Sequence, residues 1–176
     1  MTRIPQFSPR KEEPLHASNA DTYPEIIRAT IKRDGFSVQT VLGDAKTPII
    51  AYTLGLVETR NAAEFIVLHR DDREAYALLK GVAQMVRDGV VFSVGAEVEG
   101  LDTHPVRVID VAPRGGLALC PVFRWIYPDK KNVKFYQLLL GERSEGAPAA
   151  RSNLFPASGT QDVSAYLART RTLGIA

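Results

Sequence analysis

The sequence predicts a single α+β domain in which a mostly antiparallel sheet of about five to seven strands packs against two or three helices. One observation supports this fold class and a second supports the domain bounds. Apolar segments of strand length follow one another with few helical segments between them. Both ends of the chain are polar and rich in proline or small residues, which is typical of extended arms. We therefore expect an N-terminal arm over residues 1–20, the domain over 21–141 and a tail over 142–176.

The composition excludes several classes of protein. The 176 residues include 22 Lys and Arg against 20 Asp and Glu, so the charge balance does not require nucleic acid or an acidic membrane as partner. The one cysteine, Cys120, cannot form an internal disulfide, which favours a reducing compartment. No apolar run approaches the roughly 18 residues of a membrane span, and the N-terminus has no apolar signal core. We expect a cytoplasmic protein with no membrane contact and no cofactor.

The first predicted element is a helix that begins at Thr22. Thr22 and Glu25 have the spacing of a capping box, and Tyr23 and Ile27 share the apolar face. Asp34-Gly35 ends the helix with a residue that tolerates positive φ.

Strands and a second helix follow. Phe36–Leu42 and Pro48–Leu54 form a predicted hairpin. Phe65–Leu68 is apolar on both faces, so we expect it at the centre of the sheet. Asp71 caps a helix whose apolar residues recur at helical spacing until Gly89. This helix should pack on the sheet formed by the strands before it.

The second half of the chain contains more predicted strands than helices. The predicted strands are Val90–Phe92, Ala96–Val98, Val106–Val111 and Val133–Leu140. Pro113–Gly116 predicts a break, and Leu117–Trp125 fits either a helix or a strand. A short helix is predicted in the tail, at Asp162–Arg171.

Polar residues in otherwise apolar strands form the first candidate site. They are Tyr52, Thr53, Glu64 and Gln137. Together with Gly55 they could line a ligand-binding pocket, with Glu64 as acid, base or hydrogen-bond acceptor, because buried polar groups are costly unless paired or used. The alternative is structural: Glu64 accepts backbone N–H groups at a turn, and Gln137 satisfies strand edges.

Cations interleaved with aromatic residues form the second candidate site. Arg124, Lys130, Lys131 and Lys134 could neutralise phosphates while the neighbouring rings stack on bases. The alternative is a turn with solvated lysines between elements whose aromatic residues face the core. The nearly balanced net charge favours this alternative.

The sequence predicts no metal site and no activated nucleophile. Glu64 and His69 are an odd number of positions apart, so they point to opposite faces of one strand. Asp71 already caps a helix, and His104 stands alone before a proline. Cys120 lies in an apolar run with no histidine nearby, which favours an inert buried thiol.

A series of motifs also points to a family. In chain order they are Gly35-Phe36, Tyr52-Thr53-Leu54-Gly55-Leu56, Glu64 before an apolar strand, Gly89 and Gln137. The series resembles the bacterial family catalogued as domain of unknown function 4262, over roughly Tyr23 to Gly141. The family usually has Gly-His-Pro where this chain has Asn61-Ala62-Ala63, and its usual ending with Asp, Gly and Pro-Trp is not evident after Gln137. The resemblance implies one compact α+β domain of a cytoplasmic bacterial protein and transfers no activity.

Three functions are compatible with these observations. The first is a protein-interaction module, for example in a bacterial conflict or regulatory system, that holds a protein partner or a second copy through its terminal arms. The second is a small-molecule-binding protein or enzyme with the pocket around Glu64. The third is nucleic-acid binding through residues 124–134. The lack of a complete catalytic set in the sequence favours the first.

Overall fold

The computed structural model describes residues 19–41, 43, 47–69, 71–101 and 105–141. Within these residues the chain forms five helices and six strands. The helices are α1 (Asn19–Asp34), α2 (Leu56–Thr59), α3 (Asp72–Arg87), α4 (Pro113–Leu119) and α5 (Pro121–Ile126). The strands are β1 (Ser37–Val41), β2 (Ile49–Leu54), β3 (Glu64–His69), β4 (Glu97–Val98), β5 (Val106–Val111) and β6 (Phe135–Leu140).

The strands form one mixed sheet in the order β1-β2-β3-β6-β5-β4. Among the described residues four strand pairs are antiparallel, and only β3 and β6 pair in parallel. The predicted α+β class with a mostly antiparallel sheet is therefore confirmed. β3 has a partner on each edge, as expected for a strand that is apolar on both faces.

Helices cover both faces of the sheet, because the strands alternate their side chains between two apolar layers. One layer lies under α3 and includes Ala51, Phe65, Val67, Leu79 and Leu138. The other lies under α1, α4 and α5 and includes Tyr52, Ile66, Ile27, Phe123 and Phe135. The polar residues of the first candidate site, which belong to these strands, therefore lie within or beside one of the two apolar layers.

The two long helices were predicted with different accuracy. The Asp71 side chain accepts hydrogen bonds from the N–H groups of Arg73 and Glu74, which confirms the predicted cap of α3. α1 begins at Asn19, so Thr22 lies inside the helix instead of capping it, and the helix includes the last two residues of the predicted arm. Tyr23, expected on the apolar face, is 41 % exposed.

The region from Val90 to Phe92 is not a strand. The N–H of Val90 bonds to the carbonyl of Met85, so this segment closes the end of α3 instead of pairing with a neighbour. Phe92 packs edge-on against Phe65, with ring centroids 5.3 Å apart. Of the apolar residues that suggested a strand, Phe92 is packed whereas Val90 and Val91 are exposed. Backbone bonds to β5 begin at Gly95, whose N–H bonds to the carbonyl of Val108 just before the two-residue β4.

The predicted break at Pro113–Gly116 is wrong, because these residues form the first part of α4. Pro113 occupies the first turn, where its missing N–H costs nothing. A Cβ on Gly116 would lie 2.3 Å from Cδ2 of Phe135, so glycine is needed here for close packing of α4 on β6. Leu117–Trp125, left open between helix and strand, is divided between α4 and α5 at Cys120, and Pro121 begins α5.

Other predictions fall on residues that the structure does not describe. These are the arm up to residue 18, most of the loop between β1 and β2, His104, and the tail over 142–176 with its helix at Asp162–Arg171. Within the described ranges, none of the helices has both the length and the apolar character needed to cross a bilayer.

Gly55 joins β2 to α2 in a conformation that other residues rarely adopt. Its φ is 105°, in the left-handed region, and a Cβ there would lie 2.7 Å from Cγ2 of Ile31 on α1. Gly89 has a similar φ of 97°, but a Cβ on it would have no atom within 4 Å. Both glycines therefore have a positive φ that disfavours a side chain, but only at Gly55 would a Cβ also collide with a neighbouring residue.

We expect Gly55→Ala to destabilise the protein by about 1–3 kcal/mol more than Gly89→Ala does. Both variants bear the strain of a side chain at positive φ, so their difference isolates the collision with Ile31. The measurement is the free energy of unfolding from urea titrations of the two variants. Equal losses would show that α1 moves away from Gly55 at no cost.

Candidate functional site

The Glu64 carboxylate lies at the junction of β2, α2 and β3. Its Oε1 accepts from the N–H groups of Gly55 (2.9 Å) and Val57 (3.1 Å), and its Oε2 accepts from the hydroxyl of Thr53 (2.6 Å). The Thr53 hydroxyl oxygen in turn accepts from the N–H of Phe65 at 2.8 Å. Glu64 thus acts as the acceptor for the first turn of α2, where Gly55 supplies no side-chain cap.

Two opposing effects set the protonation of Glu64, which is fully buried. Burial raises the pKa of the carboxyl above its ordinary value of 4.5, because the charged form loses its hydration. The hydrogen bonds from Thr53 and from the N–H groups of Val57 and Gly55 favour the charged form and oppose this rise. The effect of burial is the larger, so the pKa of Glu64 is raised overall.

Tyr52 and Gln137 lie on the same face of the sheet as Glu64, one row further along. Tyr52 is in register with Ile66, and Ile66 with Gln137, so the two polar side chains are two strands and about 10 Å apart. The Tyr52 hydroxyl accepts from the N–H of Val122 at the start of α5 (3.3 Å). Burial raises the pKa of this phenol far above its ordinary value.

The five predicted ligand-binding residues are therefore neighbours inside the protein. Tyr52, Thr53, Glu64 and Gln137 are each 0 % exposed. The hydrogen bonds of Thr53, Glu64 and Tyr52 described above join them to backbone or to one another. The contacts of Glu64 match the structural alternative given for that residue, and a ligand pocket at these residues stays a prediction.

The cationic segment is divided between two places. Arg124, Lys130 and Lys131 line one groove of about 550 Å³ together with Trp125, which is 51 % exposed. The ammonium group of Lys130 lies 5.8 Å from the centroid of the Tyr127 ring. Lys134 lies apart from this groove and lines a different cavity. Three of the four predicted cations are thus brought together.

Exposed apolar side chains of α1 extend this groove. The ring centroids of Tyr23 and Trp125 are 6.2 Å apart. Ile26, one helical turn from Tyr23, is 59 % exposed. We call Tyr23, Ile26 and Trp125 the α1–α5 patch. The sequence did not reveal it, because Tyr23 was expected to be buried.

Two hydrogen bonds hold the helices that carry the patch. Arg28 on α1 donates to the carbonyl of Ile126 on α5 (2.8 Å), and Tyr127 donates to Oε2 of Glu58 on α2 (2.7 Å). Their partners are 98 and 69 residues apart in the chain, so no local sequence pattern could have indicated them. They fix α5 between α1 and α2.

The remaining reactive residue types have structural roles. Cys120 is fully buried, and burial together with the charge of Glu64 raises the pKa of its thiol well above the ordinary value. His69 accepts at Nδ1 from the N–H of Asp71 (2.9 Å). Among the described residues no three His, Cys, Asp or Glu side chains are grouped so as to hold a metal ion.

These features define an α+β protein with one six-stranded sheet and helices on both faces. A model of the family described as Domain of unknown function (DUF4262) matches residues 30–152, which is more than half of the chain. The chain belongs to this family. No curated protein and no solved structure matches it.

The pH dependence of stability tests the protonation of Glu64. Because its pKa is raised on folding, the native state binds more protons than the unfolded state between pH 4.5 and the higher folded pKa. We expect the wild type to lose stability relative to Glu64→Gln as the pH rises through this window, by up to about 1.4 kcal/mol per pH unit. Thr53→Val should extend the loss to higher pH, since it removes a hydrogen bond that lowers the pKa of Glu64.

The measurement is urea unfolding of the three proteins at a series of pH values. Below pH 4.5 the two proteins should be of similar stability, because the carboxyl is then protonated in both folded and unfolded states and the amide is its uncharged analogue. Parallel pH profiles for wild type and Glu64→Gln would show that folding leaves the carboxyl unshifted.

Proposed function

We propose that the protein is a binding module that recognises a protein partner through the α1–α5 patch. The observation that carries the proposal is the contact between the half-exposed Tyr23 and Trp125 rings beside Ile26 and a cationic groove. Aromatic residues and arginine are enriched at the centres of protein interfaces, and charged residues such as Lys130 and Lys131 are typical of the rim. The partner has an apolar segment flanked by acidic side chains.

The N-terminal arm is part of this proposal. Residue 18 is joined directly to α1, which carries Tyr23 and Ile26 near its beginning. We therefore include the arm in the proposed interface because it precedes α1 in the chain. A regulatory or conflict role, a cytoplasmic location and a bacterial source stay predictions that accompany the proposal.

A small-molecule pocket at Tyr52, Thr53, Gly55, Glu64 and Gln137 has less support. A ligand there would replace hydrogen bonds that now satisfy buried donors, at a cost of about 1–3 kcal/mol for each group left unpaired. The patch needs no such exchange, because its side chains are already in contact with solvent.

Binding of single-stranded nucleic acid is a second candidate function. It is favoured by one observation: Arg124, Lys130 and Lys131 line the same groove as the exposed ring of Trp125. Cations along a groove with an aromatic platform are the combination that single strands require. The net charge of +2 argues for the protein partner.

The protein-partner proposal is tested with two aromatic substitutions on opposite faces. Trp125→Ser removes the centre of the patch, and Tyr76→Ser on α3 removes a ring of similar exposure, 46 % against 51 %. Partners captured by the full chain from its source cells are identified by mass spectrometry, purified and titrated, and self-association is measured by analytical ultracentrifugation. We expect Trp125→Ser to weaken the complex at least tenfold, and Tyr76→Ser to leave it unchanged.

Equal affinities for the two variants would contradict the patch as the interface. Ile26→Ser gives an independent check on α1, since Ile26 is exposed and its loss spares the core. Deletion of residues 1–18 should weaken the same complex, and an unchanged affinity would exclude the arm from the interface.

The nucleic-acid candidate predicts a salt dependence. Affinity for a single-stranded oligonucleotide should fall with salt, and the Lys130→Gln/Lys131→Gln double variant should reduce the slope of log affinity against log salt by about 1.4. Lys80→Gln on α3 is the control, with an unchanged affinity. Fluorescence anisotropy at several salt concentrations measures both quantities, and absent or salt-insensitive binding would remove this function.

A further inference from the structure

A cavity separate from the α1–α5 patch lies on the α3 face, at the edge where β3 and β6 begin. Its volume is about 330 Å³, within the range of small-molecule sites. Its walls are the segment 60–63 before β3, the segment 89–92 after α3, and two residues of the β6 region, Lys134 and Tyr136. From this geometry we propose that the cavity binds a small aromatic anion, with the acidic group at Arg60 and Lys134 and the ring against Phe92 and Tyr136.

The charge of the lining favours an anion. Arg60 and Lys134 both line the cavity, and no Asp or Glu does. Neither cation forms an ion pair with another described residue. Asp110 is in register with Tyr136 on the neighbouring strand, but it is not part of the lining. An anion in the cavity would therefore meet two unpaired positive groups.

The C-terminal end of α3 disfavours an anion in the cavity, but its effect is smaller than that of the two cations. A helix C-terminus carries about half a negative charge, spread over its last carbonyl groups. Here the N–H of Gly89 bonds to the carbonyl of Val86, and that of Val90 to the carbonyl of Met85. Two full charges on Arg60 and Lys134 exceed this partly satisfied dipole, so the cavity remains a site for anions.

Aromatic side chains give the cavity its apolar part. The Phe65 ring lies 5.3 Å from Phe92 and 5.8 Å from Tyr136, edge-on to both. Phe65 is buried, whereas Phe92 and Tyr136 are only partly buried and line the space beside it. A planar ring placed against them would bury apolar surface that an anion without a ring, such as phosphate, cannot bury.

The backbone of the segment before β3 is also held in place for this role. Asn61 has a φ of 50°, so the chain turns sharply between α2 and β3 at the wall of the cavity. The N–H of Ala62 bonds to the carbonyl of Leu56, and that of Glu64 to the carbonyl of Lys134. These bonds tie the segment to α2 and to the residue that supplies the second cation, so the two positive groups are presented on a fixed frame.

Three probes separate the contributions of charge and ring: inorganic phosphate, phenyl phosphate and benzyl alcohol. We expect phenyl phosphate to bind more tightly than about 1 mM, and at least tenfold more tightly than either of the other two. Titrations followed by ¹H–¹⁵N NMR should shift the amide signals of residues 61–63 and 89–92. Failure of phenyl phosphate to bind, or shifts confined to other residues, would overturn the proposal.

Substitutions then assign the roles. Arg60→Gln and Lys134→Gln should each weaken phenyl phosphate binding by about fivefold to tenfold. Tyr136→Leu should remove most of the advantage over inorganic phosphate and leave phosphate binding unchanged. Lys80→Gln is the control for an exposed cation outside the cavity. Because Arg60 and Lys134 are exposed, their loss spares the fold, and unchanged binding in both variants would refute the assignment.

Discussion

A buried carboxylate is the constraint on which the centre of this structure depends. Glu64 ends the chain of donors that come from Thr53, Gly55 and the first turn of α2. α2 has four residues, too few to be stable as an isolated helix, so it depends on tertiary contacts, of which this acceptor is the one at its first turn. α2 then holds α5 through Glu58, and α5 holds α1 through its last carbonyl. One side chain in the sheet thereby fixes the arrangement of three helices on its surface.

The part of the fold that the sequence predicted is the part encoded by neighbouring residues. The Asp71 cap and the apolar spacing of α3 are local signals, and so is the strand Val106–Val111, whose bounds agree with β5. α4 was missed because two glycines in succession normally break helices, whereas Gly116 is required by Phe135 nineteen positions later. The spacing of apolar residues along the sequence does not indicate a contact between positions so far apart. The parallel pairing of β3 with β6 is hidden for the same reason.

The same distinction applies to the candidate sites. The residue types of the Glu64 cluster were evident, since polar side chains in apolar strands are conspicuous. Two of its donors are the backbone N–H groups of Gly55 and Val57, however, and their direction depends on the left-handed turn at Gly55. The α1–α5 patch joins residues 102 positions apart, Tyr23 and Trp125, and only the packing of the two helices reveals it. Asn61, at the turn between α2 and β3, is exposed and lines a cavity, whereas Ala63, two positions later, is buried.

The position of β6 has a consequence for the synthesis of the chain. β6 is the last strand in sequence among the described elements, yet it lies between β3 and β5. Until residues 135–140 leave the ribosome, β3 has an edge of unpaired backbone N–H and C=O groups, and β4–β5 is not paired with the rest of the sheet. The sheet is thus in two separate parts until nearly all of the described residues have been made, and the exposed edge of β3 is open to pairing with other chains in that interval.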